Sequence, residues 1–455
     1  MTDTSQLIPN QLAITSDCMY NLKPSAVRGR SYRISVPTTN KSQFNPGDMA
    51  VFYLPGGRRN TYLDTTQSYL RFTIRNTDLT NALNVDNTAT SIFNRLDVFH
   101  ASNLLESVQQ INVLYSYLFD MSITASQKSG LSTIFGSSIT NNSRAGYQIA
   151  ASTATVNSQA TFCVPILSGV FGLGADKMLP VGMLNDDVRV ELTLETQILG
   201  MVAAAATPAW IVQDFQMELC YVELSDEGEN MVRSISSPER PIYLHGNTWR
   251  HFVSTIPAAT AGGVSYLVPA RFASLKQLVV CPRRSSDTTV STSYGVSSRV
   301  NPNFAYYNWR IGSAIIPSKP VYLENISNTG GYAEAFMEIQ RSQHSIDNPS
   351  NASALIATYY NVCDSLGTGL GLCGVTAAAA AGANSWSNSF AIAQELEEFA
   401  QRNDVLMSGM NTLSQQIFFE ANINTATGAA SYTIDFYGNY DHILVLEDGI
   451  LSVRF

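Results

Sequence analysis

Val188-Arg189-Val190-Glu191-Leu192-Thr193-Leu194 alternates apolar and polar side chains without a break. In an extended chain successive side chains point to opposite sides, so this run has one apolar and one polar face. A helix would scatter the same residues around its axis, and the run therefore reads as a strand with one side on a core. The pattern recurs on both sides of it. Leu70, Phe72 and Ile74 alternate with Arg71, Thr73 and Arg75, and Phe215, Met217, Leu219 and Tyr221 alternate with Gln216, Glu218 and Cys220. Ile434, Phe436 and Tyr440 lead into an apolar run at 443–446, then Asp448-Gly449 as a hairpin turn, then a last strand over 450–455. Helical spacing is rare. It predicts one helix over 112–120, where Leu114 and Leu118 are four apart, and two more over 333–343 and 390–402. Many strands, few helices and abundant Gly, Pro and Asn turns predict an all-β protein built of barrels or sandwiches.

The stretch 225–240 (SDEGENMVRSISSPER) follows a long strand, is rich in charge and serine, and closes on Pro238. It reads as a boundary. The chain then divides into an extended N-terminal segment (1–42), a first barrel (43–225), a linker (226–240) and a second barrel (241–455). Ser-, Thr-, Ala- and Gly-rich stretches at 122–160, 285–300 and 367–389 read as long surface loops.

Of the 455 residues, 45% are hydrophobic but only 14% are charged, against about 25% in an ordinary soluble domain. Charge is depleted where surfaces meet permanently, so the composition points to burial against other copies, although long Ser/Thr/Asn loops have the same effect. The net charge of −9 argues against strong direct binding of nucleic acid, and Lys23, Arg28, Arg30 and Arg33 form only a weak basic patch. The start, with Thr2, Asp3, Thr4, Ser5 and Gln6, does not read as a secretory signal, and no run reaches 18 apolar residues. Cys18, Cys163, Cys220, Cys281, Cys363 and Cys373 show no metal-binding spacing. Cys163 and Cys220 read as buried free thiols inside strands, and Cys363 and Cys373 flank a loop across which they could pair. In a reducing compartment the sequons at Asn40, Asn141, Asn325 and Asn351 stay unmodified.

The chain carries no constellation that would support catalysis. His100, His245, His251, His344 and His442 are dispersed; His245 and His251 fall on one face of a strand and read as a polar surface pair. Gly367-Thr368-Gly369-Leu370-Gly371 and the run at 169–174 (GVFGLG) lack the preceding strand, following helix and Lys-Ser/Thr of a phosphate loop. Asp226, Glu227 and Glu229 lack calcium-loop spacing and read as a solvated linker, and Asn185-Asp186-Asp187 reads as a turn. No catalytic, cofactor-binding or metal-binding residue is assigned, and no enzyme activity or cofactor is expected.

Several stretches resemble, in collinear order, the double jelly-roll major capsid proteins of the adenovirus-like lineage, above all those of adintoviruses, Polintons, Polinton-like viruses and virophages. In the front half these are Phe44-Asn45-Pro46-Gly47-Asp48, Tyr62-Leu63-Asp64, Ser68-Tyr69-Leu70-Arg71-Phe72, Ile92-Phe93-Asn94-Arg95-Leu96-Asp97-Val98 and Ser102-Asn103-Leu104-Leu105-Glu106-Ser107. His100-Ala101 stands where the family more often has glycines. Pro180-Val181-Gly182 resembles the approach to the first barrel's late strands. In the back half they are Ile256-Pro257, the run from Val268 to Lys276, Trp309-Arg310-Ile311-Gly312-Ser313, Pro317-Ser318-Lys319-Pro320 and the closing hairpin. The resemblance implies two eight-stranded jelly rolls side by side, a double jelly roll with a few short helices and long loops. It further implies a homotrimer of pseudo-hexagonal outline that tiles the icosahedral capsid of a DNA virus, with penton and other minor capsid proteins as partners and the virion as location. The N-terminal segment and Arg454-Phe455 are expected near the inner surface or a partner, and loss of 1–41 is expected to alter assembly. The competing reading is a jelly-roll carbohydrate- or receptor-binding module, supported by 21 Tyr and 20 Phe; a two-barrel metalloenzyme would need clustered histidines.

Overall fold

The computed structural model describes residues 28–137, 145–153, 158–196, 200–201, 209–235, 241–286, 294–323, 331–343, 360, 362–365, 369–372, 389–398, 406–423 and 430–454. Along the front half run β1 (Gly29–Pro37), β2 (Gln43–Phe44), β3 (Met49–Leu54), β4 (Thr61–Asn76), β5 (Leu83–Asp86), β6 (Phe93–His100) and β7 (Asn103–Gln109). Three helices follow, α1 (Ile111–Ser122), α2 (Ala125–Gly130) and α3 (Ser132–Phe135). Then come β8 (Ala145–Ile149), β9 (Gln159–Pro165), β10 (Val188–Leu194), β11 (Gly200–Met201), β12 (Trp210–Leu224) and α4 (Asp226–Ile235). The back half holds β13 (Ile242–Ile256), β14 (Gly262–Val268), β15 (Leu275–Arg284), β16 (Phe304–Ile311), β17 (Ala314–Tyr322) and α5 (Ala333–Ser342). It ends with β18 (Val362–Ser365), β19 (Gly369–Leu372), β20 (Ile392–Glu395), β21 (Ile417–Ile423), β22 (Tyr432–Glu447) and β23 (Ile450–Arg454).

Sixteen of these strands make two antiparallel barrels of eight. The first faces a sheet in the order β1-β12-β4-β9 against one in the order β3-β10-β6-β7; the second repeats this with β13-β22-β15-β20 against β14-β21-β16-β17. The alternating run of β10 lies between β3 and β6 and buries Val188, Val190, Leu192 and Leu194 while its polar residues stay half-exposed. Each barrel is closed by aromatic rings from both of its sheets. In the first, Phe72 of β4 and Phe215 of β12 meet Phe52 of β3 and Phe93 of β6 at centroid distances of 5.1–5.8 Å. In the second, Trp309 of β16 and Phe419 of β21 meet Phe436 of β22. Edge-to-face and offset rings of this kind add to the burial of their area.

Several readings of the sequence change. Gly29–Pro37, placed outside the barrels, is the edge strand β1, in register with β12 from Gly29↔Leu224 to Pro37↔Gln216; its alternation of Tyr32, Ile34 and Val36 is the overlooked signal. Residues 1–27, and with them Lys23 and Cys18, lie outside the described residues. Two thirds of the supposed linker is α4. Ser225 caps it through Gly228 N–H, and its three acids occupy the first turn, where the helix dipole favours negative charge. The loop at 122–160 contains α2, α3 and β8.

The helices predicted over 112–120 and 333–343 are α1 and α5. The one over 390–402 is not found where the chain is described: Ile392–Glu395 is strand β20, paired with β15 from Gln277↔Glu395 to Val280↔Ile392. Tertiary context overrides helix propensity there, because Phe390, Ala391, Ile392 and Ala393 are all buried in completing a sheet. Cys163 and Cys220 are half-buried rather than enclosed; Cys281 is the buried free thiol. Cys363 lies on β18, but Cys373, and with it any pairing of the two, falls outside what the structure describes.

Candidate functional site

The most polar buried region is the seam where the barrels meet. Along nearly all of β22 both faces are buried, although the strand carries Asp435, Asn439, Asp441 and His442. A strand buried on both sides normally reads as a continuous apolar run, so each of these polar groups needs a partner within the protein.

Asp435 has two. Arg283 Nε of β15 lies 2.7 Å away and His251 Nε2 of β13 lies 2.9 Å away. Burial works to raise this carboxyl, but the arginine and histidine outweigh it and hold Asp435 below the ordinary carboxylate value. Across the seam Arg283 reaches Gln110 Oε1 and the Tyr437 hydroxyl donates to the Gln110 carbonyl at 2.8 Å. Gln110, just before α1, holds a left-handed φ of 48°, a strained conformation that aims its carbonyl there. Asp441 is tied to Ser274 Oγ (2.6 Å) and His245 Nε2 (3.2 Å). The supposed surface pair is thus two separate His–Asp couples, and the His251 side chain is only 5% exposed.

From the first barrel, Glu106 of β7 is buried and accepts from Ser168 Oγ, from Gly169 N–H and, across the seam, from Thr248 Oγ1 of β13. Burial pushes its carboxyl up while the hydroxyls pull it down, and burial wins. Asp120 of α1 meets Arg299 at 2.6 Å, and Asp86 accepts from Val296 N–H and Ser297 Oγ. His100 Nδ1 accepts from Leu451 N–H at 3.1 Å while Asn103 Nδ2 donates to the Leu451 carbonyl, so β23 is clamped onto the first barrel. An Nδ1 that accepts carries no proton, and burial lowers the His100 pKa accordingly.

His442 is enclosed, and neither ring nitrogen meets a protein partner. Burial, followed by the nearby His245, lowers its pKa to about 4. The GVFGLG run explains how the ring fits. A Cβ on Gly169 would stand 2.4 Å from the His442 ring, and one on Gly174 would stand 2.2 Å from the Asn247 carbonyl. These glycines serve close approach of one barrel to the other. Of the other glycine run, Gly369–Leu372 is strand β19, paired with β18. Asn185 donates through both its N–H and its side chain to carbonyls of the 448–449 hairpin. Among the described residues no group of three or more His, Cys, Asp or Glu could hold a metal ion, and no helix is long and apolar enough to cross a membrane. His344 lies outside the described residues.

The sequence reading found the histidines and the glycine run but missed Asp120, Arg283, Arg299, Asp435 and Asp441 as a set. Their signal was charge inside otherwise apolar strands and helices, which alone does not say which charges meet.

No protein-family model and no curated protein matches the chain. Solved structures do, almost end to end. The PBCV-1 virus capsid matches with a TM-score of 0.61 at 11% identity, over 96% of this chain and 99% of that one. The Sputnik virophage structure matches at 0.57 and 11%, over 98% and 93%, and the mavirus major capsid protein at 0.53 and 12%, over 97% and 93%. The chain is a double jelly roll. At these identities the likeness is one of fold, and it spans both barrels together. In this double jelly roll the buried polar contacts of the seam, Glu106 with Thr248, Asp120 with Arg299 and His100 with Leu451, join one barrel to the other.

Proposed function

We propose that this double jelly roll is a major capsid protein, a non-enzymatic building block of an icosahedral virus shell. The observation that carries the reading is the locked pair of like barrels, matched over nearly their full length by capsid structures. The 14% charge content supports it, since a permanent lattice covers much of each subunit. So do the buried polar contacts that tie one barrel to the other, Glu106 with Thr248 and Asp120 with Arg299. Three copies would give six barrels and a pseudo-hexagonal capsomer, and capsomers would join each other and minor proteins such as pentons in the virion of a DNA virus. The units of assembly would be the barrel of β1–β12 and the barrel of β13–β23, joined through 226–240.

Light scattering on the purified protein tests this, with negative-stain imaging of the same fractions. The expected result is a stable species near three times the 49.6 kDa chain mass, hexagonal in outline or closed into shells. A monomer at every concentration, even with virion partners added, would overturn the proposal and put the carbohydrate- or receptor-binding module first.

A further inference from the structure

A lysine, an asparagine and an aspartate meet inside the first barrel's helical cover. Asn87 follows β5, Asp120 lies in the last turn of α1, and Lys128 lies on α2, whose start is fixed by a capping box of Thr124 and Gln127. All three are buried, Asn87 completely and Lys128 to 6% exposure. Lys128 Nζ donates to Asn87 Oδ1 at 2.6 Å and stands 3.8 Å from Asp120 Oδ1. The Phe119 ring lies 5.9 Å from the same nitrogen. Neighbours orient the other two groups. Asn87 Nδ2 donates to Ser116 Oγ at 3.0 Å, and Arg299 holds Asp120 Oδ2 at 2.6 Å while Oδ1 faces the amine.

A buried ion pair alone would set the lysine directly against the carboxylate. Here the shorter contact is to an uncharged amide, and the carboxylate stands one step back. That is the order amide exchange needs, with a nucleophile against the acyl group and a proton carrier beside it. Groups held so reach effective concentrations no solution offers.

We propose that Lys128 and Asn87 form an intramolecular isopeptide bond, with Asp120 carrying the protons. In this buried site, passage of a proton from the ammonium to the carboxylate removes two charges from surroundings that solvate them poorly. The uncharged amine then attacks Asn87 Cγ. The Nζ–Cγ bond forms and the Cγ–Nδ2 bond breaks. Asp120 returns its proton to Nδ2, and a second proton leaves Nζ as it becomes an amide nitrogen. The displaced nitrogen departs as ammonium, the carboxylate is regenerated, and no further reactant is consumed. Because Asp120 also serves Arg299, the step is expected to follow folding slowly. The product ties α2 to the loop after β5, joining residues 41 apart in sequence. It restricts the unfolded chain as a disulfide does, but no reductant opens it.

The test is the intact mass of the full chain, measured under denaturing conditions after purification and again after prolonged incubation of the folded protein. The expected mass is about 17 Da below that of the sequence, one ammonia. Tryptic digestion should give a branched product in which the peptide holding Asn87 is joined to one left uncut at Lys128. Lys128→Arg and Asn87→Ala should keep their full masses, with circular dichroism unchanged. Asp120→Asn, which leaves Arg299 a carbonyl to bind, should slow linkage about a hundredfold; linkage at the wild-type rate would overturn the role given to Asp120. A folded wild-type chain that stays at full mass and is cleaved after Lys128 would overturn the inference. So would the same loss of mass in Lys128→Arg, since an asparagine that closes on its own backbone also releases ammonia. Neither result bears on the capsid reading.

Discussion

Glu106 shows how a single residue binds the barrels together. Its oxygens are the acceptors for two hydroxyls and a backbone N–H, one hydroxyl coming from the other barrel. Glu106→Leu leaves all three donors buried without a partner and should cost about 3 kcal/mol of unfolding free energy, whereas Glu106→Gln keeps a carbonyl acceptor and should cost about 1 kcal/mol. Urea denaturation of the two variants separates these values. His442 and His100 make a second prediction, one of pH. Both have folded pKa values below the unfolded 6.5, so their stabilising effect is complete above that pH. As the pH falls from 6.5 towards 4 the unfolded chain takes up protons that the folded rings refuse, and stability declines. His442 alone should remove about 2 kcal/mol between pH 7 and pH 5. Urea midpoints at the two pH values check this, and His442→Gln should flatten the difference; an unchanged slope would disprove the assignment. None of this was legible in the sequence beyond the presence of the residues, because burial comes from a partner strand hundreds of positions away.

At the scale of elements, legibility followed periodicity. The strands β4, β10 and β12 declared themselves by alternation, and α1 and α5 by helical spacing, since those patterns are local. The segment FAIAQELEEF failed because Ile392–Glu395 pairs with β15 and the apolar residues Phe390 to Ala393 are buried against the core, so tertiary contacts override its helix formers. The hairpin between β22 and β23 was read from Asp448-Gly449, and both residues have positive φ, 49° and 78°. Its docking on Asn185 was not foreseen. Gly449→Ala should destabilise the protein by about 1–2 kcal/mol, because the residue must hold a left-handed backbone and a Cβ would press on the Asn185 side chain at 2.3 Å. A thermal melt of the variant, compared with Gly263→Ala where a Cβ meets nothing within 4 Å, gives the measurement.

For the whole molecule, two barrels sharing a polar seam should behave as one cooperative unit. Asp120 of α1 and Arg299 of the second barrel form a buried ion pair across the seam, which opening the seam would break, and breaking one such pair costs about 3–5 kcal/mol. Calorimetry should therefore show a single unfolding transition, with two appearing in Asp120→Ala; two transitions in the wild type would mean the seam is weaker than its chemistry suggests. The two-barrel plan was readable from composition, alternation and the 225–240 break, but the seam was not, being a property of the assembled pair. The clamp on Leu451 has one more consequence, for synthesis. His100 leaves the ribosome 351 residues before the strand that caps it, an interval of roughly 20–70 s at ordinary translation rates. The first barrel has that time to fold alone, while its face for β23 stays open to water. Truncated translation products that stop short of Leu451 would carry an unlatched barrel, recognisable to a protease.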